Sequence, residues 1–377
     1  AFVLVFNSIT WYTLIYAMFS SSVNDLPVSA TETLVFFIVY YVGVTCSAIL
    51  GSIIFPRARK NCLFVWILTG TVMSVLSTTI VNNSTSVNIL ISLFLGTSVG
   101  IGLPSCLAYF ADVTFVENRG VQGGIIWSAV GFSTLLFALP LNMLNSVLAF
   151  LALAVWRGFG LGAFFFMKSG RGIRSTRSTY SISSILRRRD VILYLVPWTM
   201  FCLVNFMEAP ILENLFGGFF LFVGFIEFAI AGIFALVGGV MADLVGRKRV
   251  IITGFVVLGI EYAVLSLFSG MPVSWYMYTA FDGIAWGMFA SVFFMTLWGD
   301  LAGASEKEKY YLMGGLPYLL AGILPILVKP HVEVIPLGLT FSLASFFLFL
   351  AVIPLMYAPE TLPEKKIKER ELKKYIE

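Results

Sequence analysis

The chain alternates long stretches almost free of charge with short polar connections. The apolar stretches run to about 20 residues, the length a helix needs to cross roughly 30 Å of hydrocarbon. Alternating segments of the β-barrel kind are absent. Helices, which satisfy their own backbone hydrogen bonds, are therefore the spanning element this pattern predicts. Twelve spans result, at 1–20, 32–55, 61–82, 87–111, 120–141, 143–167, 190–212, 216–242, 249–269, 273–298, 309–329 and 335–357, numbered 1 to 12 below. Span 1 opens directly at Ala1, as expected of a chain whose natural start lies further upstream. Its apolar run is too long for a signal peptide, and no small-residue cleavage site follows it.

Composition agrees with the pattern. Of 377 residues 59% are hydrophobic and 12% charged, against about 25% charged in soluble domains. The expectation is an all-α membrane protein surrounded by membrane lipids. Charge then orients it. All but two of the 24 Lys and Arg fall in connections after even-numbered spans or in the tail; the exceptions are Lys329 and Arg157. Short cytoplasmic loops retain cations, so the reading is a multi-pass protein of the cell membrane with both termini cytoplasmic. The net charge of +4 follows from topology and calls for no nucleic acid. Cys46, Cys62, Cys106 and Cys202 all lie inside spans without metal-ligand spacing and read as apolar packing residues.

The longest connection, 168–189, divides the chain into six-span halves at 1–167 and 190–358, followed by a charged tail at 359–377. A repeat supports the division. Shifting the sequence by 188 residues lays Gly51 on Gly239, Arg59 on Arg247, Lys60 on Lys248, Asp112 on Asp300 and Arg119 on Lys307 without a gap.

Between spans 8 and 9, Gly239, Asp243, Gly246, Arg247 and Lys248 form the pattern G-x-x-x-D-x-x-G-R-K. This resembles the cytoplasmic loop motif of the major facilitator superfamily. Pro359-Glu360-Thr361 after span 12 is similar to the ending of its sugar-porter branch, and Glu117-Asn118-Arg119-Gly120 to its acidic-basic loop after span 4. The resemblance covers the whole chain in topology and about 15 residues in motif. It implies two pseudo-symmetric six-helix bundles, alternating access, and a cavity near the bilayer midplane lined by spans 1, 4, 7 and 10.

Physical reasons for the motif are plain. Gly239 and Gly246 suit a close backbone approach or a positive φ. Asp243 can accept from Arg247 or face the positive end of a helix from the other half. By the resemblance and the pseudo-symmetry that helix is span 5, near Gly120. A bond made in only one conformation biases a two-state equilibrium, so these five residues are the expected conformational gate. The first half departs from the pattern, with Phe55 at the position of Asp243 and Ala58 at that of Gly246, and no P-E-T follows span 6.

Candidate substrate-binding residues on the cavity spans are Asn7 and Trp11 in span 1, Thr97 and Ser98 in span 4, Trp198 and Asn205 in span 7, and Trp286 in span 10. Aromatic faces with amide and hydroxyl partners suit sugars, nucleosides or amphipathic organic solutes. Acids inside spans are costly unless they face water or a partner, and a carboxyl removed from water favours its protonated form. Asp282, Glu227 and Glu208 are thus the candidates for proton coupling, in that order. Glu261, on a span outside the implied cavity, reads as a structural group that hydrogen-bonds or pairs with another helix. Arg157, if deep, needs a carboxylate, either as a structural pair or from an anionic substrate; if shallow, it snorkels. His331 is assigned no role.

No H-E-x-x-H, Walker-type loop or metal-spaced Cys/His cluster appears, so neither enzyme, cofactor nor metal is expected. The reading is a secondary transporter, expected to be a monomer, that takes up a small organic solute together with protons by rocker-switch alternating access. Efflux by antiport is the alternative. It carries less weight because span 4 holds no Arg and span 5 no Gly-Pro pair, which the resemblance associates with drug antiport. A receptor on the same scaffold, binding without flux, is the third reading.

Overall fold

The structure is a computed structural model and describes residues 1–82, 84–166, 180–303 and 305–363. Among these, twelve helices are long and apolar enough to cross a membrane. They are Phe2–Asn24, Ala30–Arg57, Arg59–Ile80, Thr85–Val113, Val116–Met143, Ser146–Phe165, Arg189–Phe219, Phe222–Val245, Arg247–Phe268, Pro272–Ala302, Lys307–Val334 and Leu337–Tyr357. These are spans 1 to 12, in the order expected. Most of the linker and tail cations fall at 167–179 and 364–377, outside the described residues.

Helix ends extend beyond the apolar runs for local reasons. Span 2 starts early because Ser29 and Glu32 close a capping box, which satisfies two backbone N–H groups reciprocally. Span 10 starts at Pro272, whose fixed φ suits a first helical position. Span 7 gives way at Gly217 with φ of 52°, a conformation costly to any residue with a Cβ.

Several spans are irregular. Span 4 is interrupted between Gly100 and Leu103, just before Pro104, which has no N–H to continue the ladder. Beside the break, the Ser98 carbonyl accepts the Trp66 indole N–H at 2.7 Å. Span 7 contains Pro197 and Pro210. Span 10 widens into a π-helical stretch, Ala290–Thr296, of a kind that often marks functional segments.

The helices form two compact units. Of the described residues the first comprises 1–82, 84–110, 133–166 and 305–323, and the second 111–132, 180–303 and 324–363. The division runs inside spans 5 and 11, so each unit draws on both halves of the repeat. Small residues account for this in the second unit. A Cβ on Gly120 would lie 2.5 Å from the Gly239 carbonyl oxygen, and one on Gly124 would lie 2.4 Å from that of Ala235. Spans 5 and 8 thus touch backbone to backbone, the mode of association that small residues permit in lipid. The first unit uses the same device between spans 2 and 4. There Gly96 abuts the Tyr40 carbonyl, Gly100 that of Val44 and Gly51 that of Ile101.

Candidate functional site

In the second unit, the end of span 8 forms a charge network with the start of span 5. Asp243 Oδ1 accepts the Gly120 N–H at 3.0 Å and Oδ2 the Val121 N–H at 2.7 Å. The first N–H groups of a helix lack intrahelical partners and carry its positive end; the carboxylate answers both. Arg247, one turn on, pairs with Asp243 at 2.8 Å. It also donates to the Ala242 carbonyl at 2.7 Å and to the Val116 carbonyl.

A second acid completes the network. Asp300, near the end of span 10, takes Arg119 on Oδ1 and Arg247 on Oδ2, the latter at 3.2 Å. Arg119 also donates to the Ala111 carbonyl at 2.7 Å and to the Thr114 hydroxyl at 3.0 Å. Arg119, Arg247, Asp243 and Asp300 are all buried or nearly so, and burial of an ion pair is tolerated only when its remaining donors and acceptors are filled. Nothing in composition marked Arg119 and Asp300 as partners. The repeat alone held a signal, since it set both in equivalent polar positions at the same end of the bundle.

The P-E-T segment joins from the other side of span 9. Glu360 accepts the backbone N–H groups of Arg247 at 2.9 Å and Lys248 at 3.1 Å. It thereby caps a helix that has no side-chain cap of its own. The Lys248 ammonium donates to the Met356 and Ala358 carbonyls at 2.7 and 3.0 Å, and the Tyr194 hydroxyl to that of Pro359 at 2.6 Å. Gly246 has φ of 108°, and a Cβ there would sit 2.3 Å from Glu360 Oε2.

The first unit holds a related joint. Arg59, at the start of span 3, grips Glu308, at the start of span 11, through Nε at 2.8 Å and again through Nη2.

Deeper in the second unit lie the four acids of spans 7 to 10. Glu227 and Asp282 lie close enough to interact directly. Tyr278 reaches Asp282, and Tyr262 reaches Glu208. Glu261 is near enough to interact electrostatically with the other three. Asp282 and Glu261 are each 1% exposed. Neither Glu261 oxygen has a hydrogen-bond partner, nor do Glu208 Oε2 and Asp282 Oδ1. Glu261 therefore differs from the hydrogen-bonding role expected of it, because span 9 presents it to the other acids instead of to a donor. Among the described residues no salt bridge involves any of the four and no group of acids, Cys and His converges as a metal site.

The expected substrate residues are dispersed. Asn205 accepts the Trp286 indole N–H at 3.2 Å, and both remain partly open. Trp198 is buried among Phe201, Phe289, Phe293 and Phe294. Thr97 and Ser98 turn their hydroxyls onto their own helix, to the Leu93 and Leu95 carbonyls. Asn7 and Trp11 surround Arg157 inside the first unit, with the Asn7 amide donating to the Trp156 carbonyl at 2.6 Å and the Trp11 indole to the Ser74 hydroxyl at 2.9 Å. Span 6 thus holds Arg157 deep, wholly buried, and snorkelling is excluded.

No protein-family model matches the sequence, and no curated protein matches it. Solved structures do. The proton:xylose symporter XylE, bound to 6-bromo-6-deoxy-D-glucose, superposes with a TM-score of 0.75 at 14% identity over 96% of this chain and 95% of that one. A double-Trp variant of XylE gives 0.75 at 15% identity over 98% and 97%. The human organic anion transporter MFSD10 gives 0.66 at 14% identity over 94% and 97%. The chain has the fold of major facilitator superfamily transporters.

Proposed function

We propose that the chain is a secondary active transporter that couples uptake of a small organic solute to protons by rocker-switch alternating access. The observation that carries this reading is the pair formed by Asp282 and Glu227. Two carboxyl groups held side by side away from water repel one another when both are charged, which favours a proton on one of them. Asp282 is buried and Glu227 half-buried, and among the described residues no cation pairs with either, so the pair takes up and releases that proton according to whether water reaches it. Glu208 and Glu261 extend the cluster, and the partly open Asn205–Trp286 pair, on spans 7 and 10, supplies an amide and an aromatic face for a solute.

The charge network forms the gate in this reading. Gly239, Asp243, Gly246, Arg247 and Lys248 hold the ends of spans 5, 8 and 10 together in one conformation and release them in the other. By the distribution of Lys and Arg this end is cytoplasmic, as are both termini, and the moving bodies are the six-span halves 1–167 and 190–358.

Purified protein in liposomes, with an inward proton gradient and a pH dye inside, tests the coupling against pools of sugars, amino acids, nucleosides and organic acids. Solute-dependent acidification is expected, and Asp282→Asn should abolish it. Solute that equilibrates without proton movement would overturn the coupling. Solute that drives protons outward would replace uptake by antiport, and binding without flux would leave a receptor.

A further inference from the structure

Arg157 poses an electrostatic problem that the transport reading leaves unsolved. Its guanidinium is wholly buried, yet among the described residues no carboxylate pairs with it. Two indole rings pack against it, with centroids 4.5 Å (Trp11) and 4.3 Å (Trp66) from Cζ. Both rings are fixed in place, the first by its bond to Ser74 and the second by its bond to the Ser98 carbonyl. Ring faces attract a cation but place no negative charge in its plane.

In that plane one nitrogen is engaged and two are not. Nη1 donates to the Ser8 hydroxyl at 2.8 Å and, at 3.4 Å, to Asn7 Oδ1. Nε and Nη2 have no partner. These two share one edge of the guanidinium, the edge that offers parallel N–H groups to a carboxylate. Beside Nε stands Gly70, where a methyl group would come within 2.8 Å of Nε and 3.2 Å of the Trp11 ring. Glycine at residue 70 keeps side-chain atoms off that edge, which is closed to water in this conformation, so an anion reaches it only when the neighbouring spans part.

We propose that Arg157, packed against Trp11 and Trp66, is a binding site for a monovalent anion on its Nε/Nη2 edge. The ligand is an inorganic halide or the carboxylate of an organic molecule. A single charge matches a single guanidinium, and the aromatic packing favours weakly hydrated anions over sulfate or divalent phosphate, whose dehydration costs far more. A water molecule could fill the two donors but would not balance the charge. The site stands on its own geometry and does not depend on proton coupling.

The test uses the full chain in detergent, with two probes. Chloride-35 NMR reads saturable line broadening on addition of protein, and butyrate is followed both as competitor and by saturation-transfer NMR. Saturable binding of either probe is expected, weakened tenfold or more by Arg157→Met. Gly70→Ala, which keeps the charge but covers the edge, should weaken it similarly and serves where the Arg157 variant does not fold. Chloride binding that butyrate does not displace identifies a halide site; butyrate binding without chloride broadening identifies an organic carboxylate. No saturable binding of either probe to the wild-type chain, or equal binding to a well-folded Arg157→Met or Gly70→Ala variant, overturns the proposal.

Discussion

Asp243→Asn separates a latch from a packing contact. The carboxylate receives two backbone N–H groups, at 3.0 and 2.7 Å, and the Arg247 guanidinium at 2.8 Å. Asparagine keeps one acceptor oxygen and turns the other into an amide NH₂, which would face an N–H donor. At least one charge-assisted bond is lost, worth about 1.5–3 kcal/mol. At about 1.4 kcal/mol per tenfold, the population in which the start of span 5 is free of span 8 should rise roughly 10- to 100-fold. Hydrogen exchange reads that population directly. Gly120 and Val121 sit in the first turn of span 5, where no intrahelical carbonyl protects them. Exchange of a peptide covering 116–124 should therefore accelerate by the same factor, while peptides from the middle of span 9 stay unchanged. Unchanged exchange at 116–124 in a well-folded variant would refute the latch, and uniform acceleration everywhere would make Asp243 a general stabiliser.

Other substitutions test the same end of the molecule. Asp300→Asn leaves Arg119 and Arg247 buried around a neutral group and should cost about 3–5 kcal/mol, seen as a marked fall in the thermal midpoint in detergent. Gly246→Ala must hold a Cβ at φ of 108° against Glu360, which costs at least about 1–2 kcal/mol. Combined with Glu360→Gln its effect should be less than additive, since both break one contact; additive midpoints would mean that Glu360 acts elsewhere. Gly51→Ala would drive a methyl to 1.7 Å from the Ile101 carbonyl oxygen, whereas Gly162→Ala meets nothing within 4 Å. Size-exclusion profiles should show the first misfolded and the second intact.

Hydrophobic length made the twelve spans readable, because the bilayer imposes it on every crossing segment alike. What length does not encode is irregularity within a span. Pro104 is visible as a helix breaker, yet the π-helical stretch at Ala290–Thr296 has no such marker in the sequence. The same limit applies to the site. Asp243 could be assigned to the start of span 5 from a motif, since a carboxylate at a helix end has few partners to choose from. The direction in which Trp11, Ser98 or Trp198 points depends on helix rotation. A near-uniform apolar sequence leaves rotation undetermined, and the structure turns these three inward. Arg157 illustrates the converse. Its burial was open in the sequence because the Gly-rich end of span 6 blurs where the helix stops, and the aromatic rings packed against it come from spans 1 and 3, far away along the chain.

The departure of the first half from the loop motif has a structural resolution. Shifting by 188 residues sets Phe55 on Asp243 and Glu308 on Gly120. In the second unit the acid therefore stands at the end of span 8 and reaches the start of span 5. In the first unit the acid stands at the start of span 11, the counterpart of span 5, and reaches Arg59, the counterpart of Arg247. The negative charge has changed sides of an equivalent joint while the arginine has stayed in place. Phe55 consequently has no acid to replace. A carboxylate at the start of span 11 also lies at the positive end of that helix, so it is stabilised by its own helix as well as by Arg59. The two joints are thus chemically different versions of one design. The second clasps backbone amides that exist in any sequence; the first includes a side-chain pair, half of it more accessible, with Arg59 16% and Glu308 0% exposed. Ion pairs that reach solvent weaken with salt, and buried ones far less. The repeat therefore preserves the position of a contact without preserving its chemistry, and a motif search restricted to one half finds only one of the two.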